Sequence, residues 1–142
     1  MWKNHHYLCI TSWIFVLPIA YVLYKLFHHE TIPTFEYVLL FLICINIGFS
    51  LLFWYDPVQE SDIHIYDAFF AKLSMMTVMF YFFSRINEPI DVVVFLIILA
   101  GIMVSAYYSN YFSNIEWCCN KHIQSHGLMH LFCGAGCLYT LV

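Results

Sequence analysis

Apolar residues run along this chain in five long blocks, at about 7–27, 35–55, 63–83, 90–112 and 122–142, with short polar intervals between them. Each block is close to the ~20 residues with which an α-helix crosses the hydrocarbon core of a bilayer. The blocks are continuous rather than alternating, and each is about twice the length of a barrel strand, which argues against strands. The pattern therefore predicts an all-α protein, a polytopic transmembrane helical bundle of about five spans, forming one integral membrane domain over residues 1–142.

The intervals carry the helix breakers. His28, His29, Glu30 and Pro33 fill the first, and Asp56-Pro57 through Ser61-Asp62 the second, where Ser61 or Asp62 is placed to cap the next helix. Arg85, Asn87, Glu88 and Pro89 make the third, and residues 113–121 the fourth. Pro18 predicts a kink within the first block. Trp2, Trp13, Tyr55, Tyr107, Tyr108 and Trp117 gather near block ends, as an interfacial belt would. Lys3 precedes the first block in the manner of a secretion signal, but the block is long and no small-x-small cleavage site follows, so it reads as a span. Lys3 and Lys121 flank one side and Lys25 and Arg85 the other, a tie that leaves the orientation and the organelle open.

Composition agrees: 63% of the residues are hydrophobic and 10% charged, against roughly 45–50% and about 25% in soluble domains. Mean hydropathy is +0.77. A net charge of −4 gives no basis for a nucleic-acid partner, and membrane lipids are the expected partners, with room for a homo-oligomer. Cys9, Cys44, Cys133 and Cys137 lie in apolar blocks, where a thiol behaves as a small hydrophobe. Cys118 and Cys119 lie in a loop and read as free thiols, with palmitoylation as the alternative.

Eight histidines outnumber the five lysines and arginines. His122, His126 and His130 recur at intervals of one helical turn and share a face of the last block. Only a short apolar run follows, so completing a span draws His126 and His130 into the membrane, where ionisable groups usually mark a site. Threading the blocks brings Ser50, His64, Asp67, His126 and His130 to one membrane face. Imidazole is the commonest metal ligand, and catalytic zinc keeps three protein ligands and an open position. The ladder's ends are about 12 Å apart along the helix, so a third ligand must come from another helix. The expected metal set is His64, His126 and His130, with zinc as cofactor. Asp67 would orient or deprotonate the zinc-bound water and Ser50 would donate to the oxyanion, the two catalytic roles.

Ser50 with Phe53, Asp67 with Ala71, and His126 with His130 and nearby Gly134 resemble the CREST superfamily of membrane hydrolases. That superfamily includes the alkaline ceramidases, the GPI-anchor-remodelling hydrolases and the progestin/adiponectin receptors. The resemblance implies a zinc-dependent lipid amide or ester hydrolase with its site between helices. Two departures stand beside it: Trp54 occupies the place of the family's third metal histidine, and five blocks replace seven spans.

Other readings use the same residues. Histidines on separate helices suit a bis-His haem. His126 or His130 near Trp54 or Trp117 suits the gate of a proton or ion pore. A catalytically silent membrane scaffold fits Trp54. His5, His6, His28 and His29 read as inert. Asp67 has a structural alternative as a partner of Lys72 or of a histidine, and Asn46 with Ser50 as interhelical glue. Gly101, Ser105 and Ser109 read as a close-packing stripe, and Glu36 and Asp91 as acidic residues suited to helix starts.

Overall fold

The computed structural model describes residues 4–142, so Trp2 and Lys3 lie outside the described residues. The described chain is all-α, a bundle of helical rods close to the predicted blocks. The first rod consists of α1 (His6–Ser12), a 3-10 turn (Trp13–Phe15) and α2 (Val16–Phe27). α3 (Thr34–Tyr55), α4 (Asp62–Arg85), α5 (Pro89–Ile115) and α6 (Asn120–Leu141) follow. The irregular turn lies just before Pro18: proline has no N–H to donate to the carbonyl of Ile14, and its ring crowds that carbonyl.

Local chemistry explains the boundaries. Ser61 caps α4, its Oγ accepting from the His64 N–H at 3.3 Å. Glu88 and Asp91 form a capping box at α5, and Asp91 also accepts from the Tyr139 hydroxyl at 3.0 Å. Cys119 caps α6, its Sγ accepting from the His122 N–H at 3.5 Å.

Among the described residues three helices are long and apolar enough to cross a membrane: His6–Phe27, Thr34–Tyr55 and Pro89–Ile115. The sequence pattern had suggested about five. The other two, α4 and α6, have the length but are diluted by polar residues such as Asp67, Lys72, His126 and His130. Several of the polar residues in the bundle point inward. Asn46, Ser50, Asp67, Ser74, Ser105, His122, His130 and Thr140 are buried, while Phe41, Phe80, Ile97 and Tyr107 are each more than 60% exposed. Polar side chains inside and apolar ones outside invert the soluble arrangement.

α6 is the central helix, packing against α5, α4 and both parts of the first rod, while α3 packs along α4 and α1. Close approach is built in: a Cβ on Gly134 would meet Ile14 at 2.8 Å, and one on Gly101 would meet the Phe132 ring at 2.5 Å. At one end Val22, Leu39, Ile43, Tyr81, Cys137 and Leu141 form an apolar cluster. Beside it sits Glu36, which does more than suit a helix start. It is 1% exposed, accepts two hydrogen bonds from Lys25 Nζ at 2.9 Å and one from the Tyr81 hydroxyl at 2.6 Å. Arg85 lies 3.8 Å from the same carboxylate and donates to the carbonyls of Thr140 and Leu141, closing the end of α6. The backbones of α4 and α5 do not run close together, nor do those of α3 and α6, although side chains meet across both pairs, Phe82 on Phe95 and Trp54 on His126. A cavity fills the space these four helices leave.

Candidate functional site

The cavity has a volume of about 470 Å³, within the roughly 300–1,000 Å³ usual for small-molecule sites. Towards one end lie Ser50, His64, Asp67, Ser109, His126 and His130, and towards the other the wall is mostly apolar, with Ile43, Met75, Val78, Phe95, Ile98 and Ile102, interrupted by Asn46, Lys72 and Ser74. All five residues singled out in the sequence therefore line one space. They do so at two levels.

His64 belongs to the outer level. Its ring lies flat on Phe53, centroids 4.6 Å apart and planes 4° from parallel, with Trp117 at 5.6 Å. Trp54 packs edge-on against His126 at 4.7 Å, and Trp117 donates from Nε1 to the Pro57 carbonyl at 3.1 Å, tying the second and fourth loops. Ser50, Asp67 and His130 belong to the inner level. Ser50 is one turn below Phe53 and Asp67 one turn below His64, on antiparallel helices whose rings stack. Ser50 and His130 bond to adjacent residues of the first rod: Ser50 to Ser12 at 2.9 Å and His130 to Thr11 at 2.9 Å.

The hydrogen bonds fix the imidazole roles. Nδ1 of His64 accepts from the Glu60 N–H at 3.1 Å, and Nδ1 of His122 accepts from the Cys118 N–H at 3.2 Å. A neutral imidazole that accepts at Nδ1 carries its proton on Nε2 and has no second lone pair for a metal. His130 differs, because its partner is a hydroxyl: Thr11 Oγ1 lies 2.9 Å from Nδ1 and 3.1 Å from the Leu8 carbonyl. With the Thr11 proton on that carbonyl, His130 donates from Nδ1 and its Nε2 lone pair is free. His126 is held through Nδ1 by Ser109 at 3.0 Å. Such partners on the far nitrogen are what orient metal-binding histidines.

Zinc can be tested on this donor set. His126 and His130 have suitable orientation, with ring centroids 4.9 Å apart. His64 does not join them, because its acceptor nitrogen is occupied and its ring is stacked on Phe53. Trp54, at the family's third-histidine position, offers an N–H and no lone pair. Among the described residues no three His, Cys, Asp or Glu side chains are gathered closely enough to hold a metal ion. The residues present do not fit a three-ligand zinc centre.

Two further assignments change. Ser50 shares a hydrogen bond of 2.9 Å with Ser12, whose hydroxyl also reaches the Leu8 carbonyl at 2.8 Å. With the Ser12 proton on that carbonyl, Ser50 donates to Ser12 and is not an oxyanion donor. Asp67 is 8% exposed and has neither a hydrogen bond nor an ion pair, so it pairs with neither Lys72 nor a histidine. Thr11, Ser12 and Ser109 act in the site without having been singled out for it. The signal available was polar residues well inside apolar blocks. Outside the helices, burial and then the adjacent Cys119 push the Cys118 thiol up to about 11, and all six cysteines are free.

No known protein family, curated protein or solved structure matches the chain.

Proposed function

We propose that this chain is an integral, multi-pass membrane protein that takes a lipid from the bilayer into its cavity. The head group sits at the Ser50–Asp67–His130 level and the chain lies along the apolar end. One observation carries the reading: a cavity polar towards one end and mostly apolar towards the other is bordered by α4 and α5, which meet through the Phe82–Phe95 stack but whose backbones do not run close together. A gap between two helices of a membrane bundle faces lipid, so an amphiphile reaches the cavity without crossing water. The spans support this reading. At 24 and 22 residues, α4 and α6 are about 36 and 33 Å long, enough for a hydrocarbon core of ~30 Å. Their buried polar residues lower their hydropathy without meeting lipid.

The test is lipid retention by native mass spectrometry of protein released from nanodiscs. Wild type should carry one lipid per chain, and Ala106→Trp, which fills the cavity from α5, should lose it. Equal retention by both would refute the reading.

A second reading is zinc-dependent hydrolysis of a lipid amide or ester, favoured by the shared level of Ser50, Asp67 and His130. The incomplete donor set weighs against it, and no step is derived through the metal. Zinc near one per chain, lost in His126→Ala/His130→Ala, would reinstate it. A catalytically silent lipid binder retains no zinc.

A further inference from the structure

We propose that the lipid held here carries a protonated primary amine in its head group, bound by Asp67 with Ser50 and His130 as its other acceptors. This rests on the lipid reading above and names the ligand's chemistry.

The hydroxyls of Ser12 and Thr11 both reach the Leu8 carbonyl, at 2.8 and 3.1 Å. With those two bonds made, Ser50 donates to Ser12 and His130 Nδ1–H to Thr11, and each turns a lone pair inward. Asp67, 8% exposed and without a hydrogen-bond or ion-pair partner among the described residues, adds a carboxyl group. Three helices can thus present acceptors at one level of one cavity. Lys72, on the cavity wall, forms no ion pair with Asp67.

A buried, unpaired carboxylate is costly unless it takes up a proton or a ligand supplies the opposite charge. A ligand with N–H groups and a positive charge keeps Asp67 ionised, and an ammonium group brings three donors. A metal ion would need its ligands within about 2.0–2.2 Å of one point, and among the described residues no three His, Cys, Asp or Glu side chains are gathered that closely. Hydrogen bonds to an ammonium reach roughly 2.8 Å from a larger centre, which suits acceptors spread over three helices.

The experiment compares stearylamine with methyl stearate, by tryptophan-fluorescence titration of the full chain in nanodiscs of fixed phosphatidylcholine composition. Trp54 and Trp117 line the cavity and report its occupancy. Wild type should bind stearylamine about tenfold to a hundredfold more tightly than methyl stearate, the range of a charged hydrogen bond. Asp67→Asn should lose that preference and keep its affinity for methyl stearate, which also shows that the variant folds. Equal affinities in wild type would overturn the amine and leave the lipid site standing. A preference undiminished in Asp67→Asn would overturn the role of Asp67. Failure of both compounds to bind wild type would overturn the lipid site and the amine together.

Discussion

Glu36→Gln should be the most damaging single-atom change outside the cavity. Glu36 is 1% exposed and Lys25 9%, and they meet through two bonds of 2.9 Å, with Tyr81 adding a third at 2.6 Å. Glutamine keeps the shape and one acceptor oxygen but removes the charge. Lys25 is then left buried beside an amide, with Arg85 still close at 3.8 Å. Breaking one side of a buried pair costs about 3–5 kcal/mol, because the surviving charge has lost its counterion. Arg85 is 39% exposed, so its share is screened and amounts to at most about 1 kcal/mol. The substitution touches α2, α3, α4 and α6 together, so the loss should appear as global instability.

The partner substitution separates charge from contact. Lys25→Met leaves Glu36 with Tyr81 and Arg85, so it should cost less than Glu36→Gln. The double variant Lys25→Met/Glu36→Gln should recover part of the loss, giving a coupling energy of about 1–3 kcal/mol. The assay is equilibrium unfolding from mild detergent into SDS, followed by circular dichroism. A loss below about 1 kcal/mol for Glu36→Gln, or strict additivity in the double variant, would refute the claim that this cluster is a desolvated clamp.

Trp54→His should raise zinc content per chain above wild type, since it places an imidazole where the indole now meets His126 at 4.7 Å. Unchanged zinc by plasma mass spectrometry would show that Trp54 is not what leaves the donor set incomplete. Cys118, with its thiol pushed up to about 11 by burial and then by Cys119, should react with maleimide at pH 8 about a hundredfold more slowly than an exposed thiol. Its rate should climb roughly tenfold per pH unit towards 10, and a flat profile would contradict the shift. Gly134→Ala should destabilise by about 1–2 kcal/mol, because the new Cβ meets Ile14 at 2.8 and 2.9 Å. Adding Ile14→Ala should remove that interaction penalty, and an unrelieved double variant would locate the cause elsewhere.

The helical rods were legible because hydrophobic runs of span length have few other uses, and each began and ended close to its predicted block. Ser61 was equally legible as a cap. The ion cluster was not: Glu36 and Lys25 are eleven positions apart, and only the reversal of the chain between α2 and α3 brings them together. Span count differs between sequence and structure: three helices pass on length and composition, against five blocks in the sequence pattern. A buried histidine and a lipid-facing one lower mean hydropathy equally, so α4 and α6 fall short on composition although Asp67, His122 and His130 are buried in the bundle.

The site shows where sequence spacing stops being informative. Intervals of four residues set His126 and His130 on one face, and antiparallel threading brought Ser50 and Asp67 to meet them. Spacing carries no record of where protons go. When the two hydroxyls of the first rod, Thr11 and Ser12, send theirs to the Leu8 carbonyl, Ser50 and His130 become acceptors towards the cavity. Backbone N–H groups at the ends of loops do the converse to His64 and His122, occupying the nitrogen a metal would need. On the proposal above, residue types that together suggested a zinc hydrolase become a cavity wall that asks its ligand for donors. Thr11→Val makes that logic testable in one step. Without the Thr11 oxygen to receive Nδ1–H, His130 is free to change tautomer and turn an N–H inward, and the preference for stearylamine should fall in proportion.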